Sequence, residues 1–138
     1  QIVKYTQYDS TEIEVFRRIR KQLVFECNKN GVGLLLGSDA PQVYNVPGFS
    51  AHHELRYLVE AGLTPYEALR CGTANVGRFW GRDDLGVVKP GAVADLILLN
   101  ANPLENISNT RRIEGVLLGH RWMSGAFIAE TLKKLEKR

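Results

Sequence analysis

Apolar positions change their period twice along this chain. Over residues 10–31 they recur as Ile13, Phe16, Ile19, Leu23 and Cys27, three or four residues apart. That spacing predicts one amphipathic helix, capped by Ser10 or Thr11 and ended by Gly31. The period then collapses into the run "GLLLG" over residues 33–37, a short apolar stretch between glycines that predicts a strand buried on both faces. A helix feeding such a strand is the alternating step of parallel α/β folds. Asp39 stands just past the strand's carboxyl end, the edge where such folds do their chemistry.

The stretch "SDAPQVYNVPGF" after the run carries two prolines and a glycine and predicts a loop of about a dozen residues, long for a strand-to-helix connection. Ser50 is placed to cap a helix in "AHHELRYLVEAG", with Leu55, Leu58 and Val59 on one face and Gly62 as its stop. Thr64, Pro65 and Glu67 then fill the N-cap, N1 and N3 places of a capping box. Helix continues through "TANVGRFWG" to Gly81. Beyond residues 81–84 the period shortens. "LGVVKPGAVADLILLN" predicts two short strands around the turn Lys89-Pro90-Gly91, and "IEGVLLGHRWMSG" predicts a strand pair around Gly119 and His120. "AFIAETLKKLEKR" predicts a closing helix. The chain thus divides into residues 1–81 of α/β character, residues 82–125 of β character and a helix over residues 126–138.

Composition narrows the function classes. With 44% hydrophobic and 24% charged residues over 138 positions, the chain reads as globular. A net charge of +3 is too weak a field to steer polyanions, and Arg17, Arg18, Arg20 and Lys21 spread over more than one helix face. No nucleic-acid partner is expected. No stretch approaches the ~20 apolar residues that span a bilayer, so no membrane partner is expected either. Cys27 and Cys71 form no C-x-x-C pair and read as small core residues. Gln1 in place of Met suggests that the natural start lies elsewhere, which leaves localisation open with a slight lean to the cytoplasm.

Asp39 has two readings from the residues alone: a turn or helix cap, or a metal ligand or general base at the sheet rim. His52, His53 and Glu54 carry groups that bind zinc or move protons. Adjacent helical residues diverge by about 100°, so at most one of the two imidazoles faces Asp39. His120 falls in a hairpin turn and reads as structural or exposed. In "GVGLLLG" the glycines precede the strand, which removes the strand-to-helix turn that a dinucleotide loop needs. A catalytic zinc takes about three protein ligands. This chain supplies one well-placed carboxylate and one plausible histidine, part of a site.

"LLLGSDAP", "GFSAHHELRYLVEAGLTPYEALRCGTANVGRFWG" and "DLGVVKPGAVADLILLNANPLENISNTRRIEGVLLGHRW" together resemble the C-terminal third of metal-dependent amidohydrolases, in the imidazolonepropionase and prolidase-like branch. The likeness covers residues 31–122. It implies an α/β fold: the C-terminal fragment of a (β/α)8 barrel whose last strand is residues 34–36, plus part of a small flanking β-sandwich. Asp39 matches the aspartate that ligates the metal and shuttles the proton of the attacking water, which makes it both the catalytic and the metal residue. His53 or His52 falls where relatives carry a substrate-facing polar residue. Gly86, Pro90, Gly91, Ala94 and Asp95 match recurrent structural positions.

The resemblance further implies a divalent metal, zinc, mono- or dinuclear, and hydrolysis of an amide-type C–N bond in a small-molecule substrate. Homo-oligomerisation is implied too. The family's other metal ligands have no counterparts here, so the chain is expected to need a missing N-terminal barrel segment and to be inactive alone. The competing expectation is a non-catalytic module serving oligomerisation or regulation.

Overall fold

The computed structural model describes residues 9–42 and 45–136. Helix α1 (Ser10–Lys29) is capped by Asp9, whose carboxylate accepts from the Thr11 amide at 3.2 Å, rather than by Ser10 or Thr11. Asp caps as well as Ser and better than Thr, and with Asp9 in that place the helix starts at Ser10. Its last turns are half-buried, and Val24 packs against the core. Its earlier apolar stripe is not covered: Phe16, Ile19 and Leu23 are 59%, 58% and 62% exposed.

Residues 34–36 run beside the helices but pair with no strand among the described residues. A strand is defined by a neighbour, and here the backbone bonds elsewhere. The Leu36 amide donates to the Cys71 carbonyl at 2.9 Å, and the Asn75 side-chain amide donates to the Leu34 carbonyl at 2.9 Å. The expected buried strand is therefore a half-buried segment laid against helices.

Helix α2 (Phe49–Glu60) follows Gly48, whose φ of 83° makes the turn into it. Ser50 is consequently inside the first turn and is not the cap. Helix α3 (Pro65–Cys71) has the capping box in full: the Thr64 hydroxyl accepts from the Glu67 amide, and the Glu67 carboxylate accepts from the Thr64 amide. Helix α4 (Ala74–Phe79) ends before Gly81. Leu55, Leu58, Leu63, Ala68 and Cys71 make one core with Ile107 of a 3-10 helix (Ile107–Arg111). Cys71 is buried in it, as a small core residue should be, and Cys27 is half-buried.

Of the two strands expected around Lys89-Pro90-Gly91, the second forms as β1 (Leu96–Leu99) and the first does not. The turn itself is present, with the Ala92 amide donating to the Lys89 carbonyl at 3.1 Å and Gly91 at a φ of 81°. Residues 84–93 instead fold back on helix α4, since the Val93 amide bonds the Asp84 carbonyl and Gly86 passes so close to the Thr73 carbonyl that no Cβ fits. Strands β2 (Ile113–Leu118) and β3 (Arg121–Ser124) form the expected hairpin, and the antiparallel order is β1-β2-β3. Gly115 and Ser124 pair across it, and the Trp122 ring covers Gly115 where a side chain would clash. Asp95 accepts from the Gly119 amide at 2.8 Å, which pins the hairpin turn to the start of β1. Helix α5 (Gly125–Leu135) closes the described chain, capped by Ser124.

Candidate functional site

Asp39 is exposed and sits at a φ of 50°, the one non-glycine residue recorded in the left-handed region among those described. Aspartate tolerates this conformation better than most residues. The segment bearing it leaves the core at Leu36 and is tied down on both sides of the turn. Asn45 Nδ2 donates to the Ser38 carbonyl at 2.9 Å. Ser50 Oγ lies 2.9 Å from both Ser38 Oγ and the Val46 carbonyl. A carbonyl only accepts, so the single Ser50 proton goes to Val46 and the Ser38 hydroxyl supplies the proton of the second bond. Ser50 is buried. The described residues of the loop thus form a cradle under one exposed carboxylate.

The two imidazoles part company, as their adjacency on a helix requires. His53 is exposed. His52 is half-buried and turned to the 3-10 helix, with Nδ1 3.0 Å from Thr110 Oγ1. Thr110 spends its own proton on the Ile107 carbonyl at 2.8 Å, so His52 is the donor and its Nε2 is left as an acceptor. Burial, then Arg111, then His53 hold the imidazole below its usual range. The shift favours the neutral imidazole. Burial pushes the neighbouring Glu54 carboxyl up, against the pull of Arg20, and the charge of Asp39 adds to the rise. His120 is exposed in the hairpin turn, in keeping with its expected role.

Asp39 fits a cation as one oxygen donor. No three His, Cys, Asp or Glu side chains converge into a metal-holding group among the described residues. A catalytic metal takes about three protein ligands, so these residues do not make a metal site by themselves. An open groove of about 1120 Å³ lies between α1 and α2, walled by Arg17, Arg20, Lys21, Glu54 and Tyr57, and Asp39 is not among its walls. Lys21 bridges it to Glu60 at 3.1 Å. Arg17, Arg18, Arg20 and Lys21 are all exposed, but all four line this one groove rather than spreading over separate faces.

The sequence singles out Asp39, and Ser50 as a helix cap, but not Asn45, which bonds Ser38, or Thr110, which bonds His52. The length of the loop was the available signal, because a long ordered loop needs side chains to satisfy its backbone. No helix of the described chain is long and apolar enough to cross a membrane.

Several known proteins are similar to this chain. The profile of the Amidohydrolase family matches residues 17–123. Ochratoxinase of Aspergillus niger is 36% identical over 100 residues, a span covering 70% of this chain and 19% of that enzyme. Imidazolonepropionase of Cutibacterium acnes is 55% identical over 42 residues, 30% of this chain and 11% of that one. Among solved structures, a Xaa-Pro dipeptidase with methionine bound in its active site superposes with a TM-score of 0.65 at 26% identity, over 76% of this chain and 25% of its own. The chain spans about a fifth of the ochratoxinase it matches.

Proposed function

The chain belongs to the amidohydrolase family, and on that premise we propose that it is the C-terminal portion of a longer metal-dependent hydrolase. That enzyme cleaves an amide-type C–N bond, as in a cyclic amide or a dipeptide-like small molecule. The observation that carries the reading is Asp39: an exposed carboxylate in the left-handed region, at the end of an apolar segment, inside the family match.

In this reading Asp39 takes the proton released as water adds to the substrate carbonyl, holds it on a carboxylate oxygen, and gives it to the departing amine nitrogen. Asp39 would be one ligand of a divalent metal, zinc by preference and mono- or dinuclear, whose other ligands would come from the missing segment and which would supply activation of the water. Of the two imidazoles, His53 is the one a substrate group can reach, and His52 serves the joint with the 3-10 helix. Of the described residues, those up to 81 close the barrel, those of 82–125 return to the flanking sandwich, and those from 126 on form the terminal helix; residues 1–8, 43–44 and 137–138 lie outside the described part. The bare stripe of α1 and the open edges of β1 and β3 support a missing N-terminal barrel segment as the intramolecular partner.

The test compares the full-length hydrolase with the 138-residue chain. The full-length protein is expected to retain stoichiometric metal and to hydrolyse amide probes, and the chain alone to do neither. Tight stoichiometric metal in a well-protected monomer of the short chain contradicts the reading and favours an independent module.

A further inference from the structure

Asp39 is held in place through the residue before it. A non-glycine residue at a φ of 50° persists only where its surroundings over-determine it. The peptide unit joining Ser38 to Asp39 forms one side of that torsion, and its carbonyl oxygen accepts from Asn45 Nδ2 at 2.9 Å. The bond from Asn45 thus fixes the plane against which the φ of Asp39 is defined. The Ser38 side chain is anchored independently, by its hydroxyl bond to Ser50 Oγ on helix α2, and Ser50 is anchored in turn to the Val46 carbonyl.

Burial makes the second bond informative. Ser50 is only 6% exposed, and the other buried residues of α2 are Leu55 and Leu58. An alanine fills such a place at less desolvation cost, and burying a hydroxyl is sustained only by making its bonds. Those bonds run to the loop, toward the Asp39 turn. Two different elements, loop and helix, thus converge on Ser38, and neither Asn45 nor Ser50 is recorded bonding the Asp39 carboxylate.

We propose that Asn45 and Ser50 are positioning residues that fix the aim of the Asp39 carboxylate through the carbonyl and hydroxyl of Ser38. The proposal rests on the reading of Asp39 as the proton-handling carboxylate. Misaiming a reacting group by about 1 Å costs up to ~100-fold. The loss of either tether alone should fall below that.

The experiment uses the metal-loaded full-length hydrolase with Xaa-Pro dipeptides as probes, and two readouts. Ser50→Ala and Asn45→Ala are each expected to lower kcat by about 10-fold with KM within about twofold, and to speed amide hydrogen exchange in the peptide spanning residues 37–42. In an Asp39→Asn background neither is expected to lower kcat further, because both act through that carboxylate. Wild-type kcat and wild-type exchange in both variants, beside an inactive Asp39→Asn, overturn the positioning role and leave the reading of Asp39 intact. An equal further loss in the Asp39→Asn background overturns it as well, since the effect is then general. If Asp39→Asn keeps near wild-type activity, the reading of Asp39 fails, and exchange alone decides whether the tethers hold the turn. Should Ser50→Ala not fold, Ser38→Ala removes the same bond from the loop side.

Discussion

His52 Nδ1 lies 3.0 Å from Thr110 Oγ1, a polar tie between helix α2 and the 3-10 helix that leads into strand β2. Burial, Arg111 and His53 keep this imidazole below its usual range, so the folded state binds the proton less readily than the unfolded chain. The stabilising contribution is present above the unfolded value of about 6.5, and it is lost as pH falls through the lower folded value. Thermal melts of the full-length protein at pH 7.5 and about pH 5.5 should show a larger drop for wild type than for His52→Gln. An identical drop in both rules out His52 as a source of acid sensitivity.

The capping box at Thr64 gives a prediction independent of any catalytic role. The Glu67 carboxylate accepts from the Thr64 amide at 2.7 Å and also from Asn28 Nδ2 at 2.9 Å, joining the start of α3 to the end of α1. Thr64→Ala is expected to cost about 1 kcal/mol in denaturant unfolding. A cost near zero means that the α3 start is held by packing alone.

Two glycines in the returning segment should respond differently to the same change. Gly86 has a φ of 71° and no room for a Cβ beside the Thr73 carbonyl, whereas Gly91 has a φ of 81° and nothing within 4 Å. Gly86→Ala therefore meets strain and a backbone clash, an expected cost of ~1–3 kcal/mol or more. Gly91→Ala meets strain alone, about 1 kcal/mol. Equal costs at the two sites would argue against the close approach of residues 84–93 to helix α4.

The uncovered stripe of α1 makes a solubility prediction. Phe16, Ile19 and Leu23 lie three and four residues apart and are each more than half exposed. Patches of this kind drive association when left in water. The 138-residue chain alone should self-associate in light scattering, and Ile19→Lys with Leu23→Lys should reduce this. The same pair should destabilise the full-length hydrolase if the stripe packs there, and leave it unchanged if α1 faces solvent.

Local grammar carried most of the fold into view. The helices of residues 10–29 and 65–71, the turn at Gly91 and the hairpin at Gly119 each rest on signals a few residues long, and each stands in the structure. The failures are those that depend on distant partners. Residues 34–36 have the sequence of a buried strand, but strand pairing needs a neighbour, and their backbone bonds Cys71 and Asn75 instead. Residues 85–88 look like a strand and are drawn to helix α4 by the glycine contact at Thr73. The site divides in the same way. Asp39 was visible because a carboxylate at the end of an apolar run is locally odd. Asn45, Ser50 and Thr110 act through bonds spanning 7, 12 and 58 residues, and nothing in their immediate sequence marks them.

The central claim is that Asp39 handles the proton in amide hydrolysis. It is tested most directly by Asp39→Asn in the full-length metal-loaded hydrolase, with kcat measured on a dipeptide probe and metal content measured on the same sample. Asparagine keeps the shape and loses the basic oxygen, so kcat is expected to fall by at least ~100-fold, the lower range for removal of a general acid–base group. Near wild-type turnover in Asp39→Asn would contradict the account.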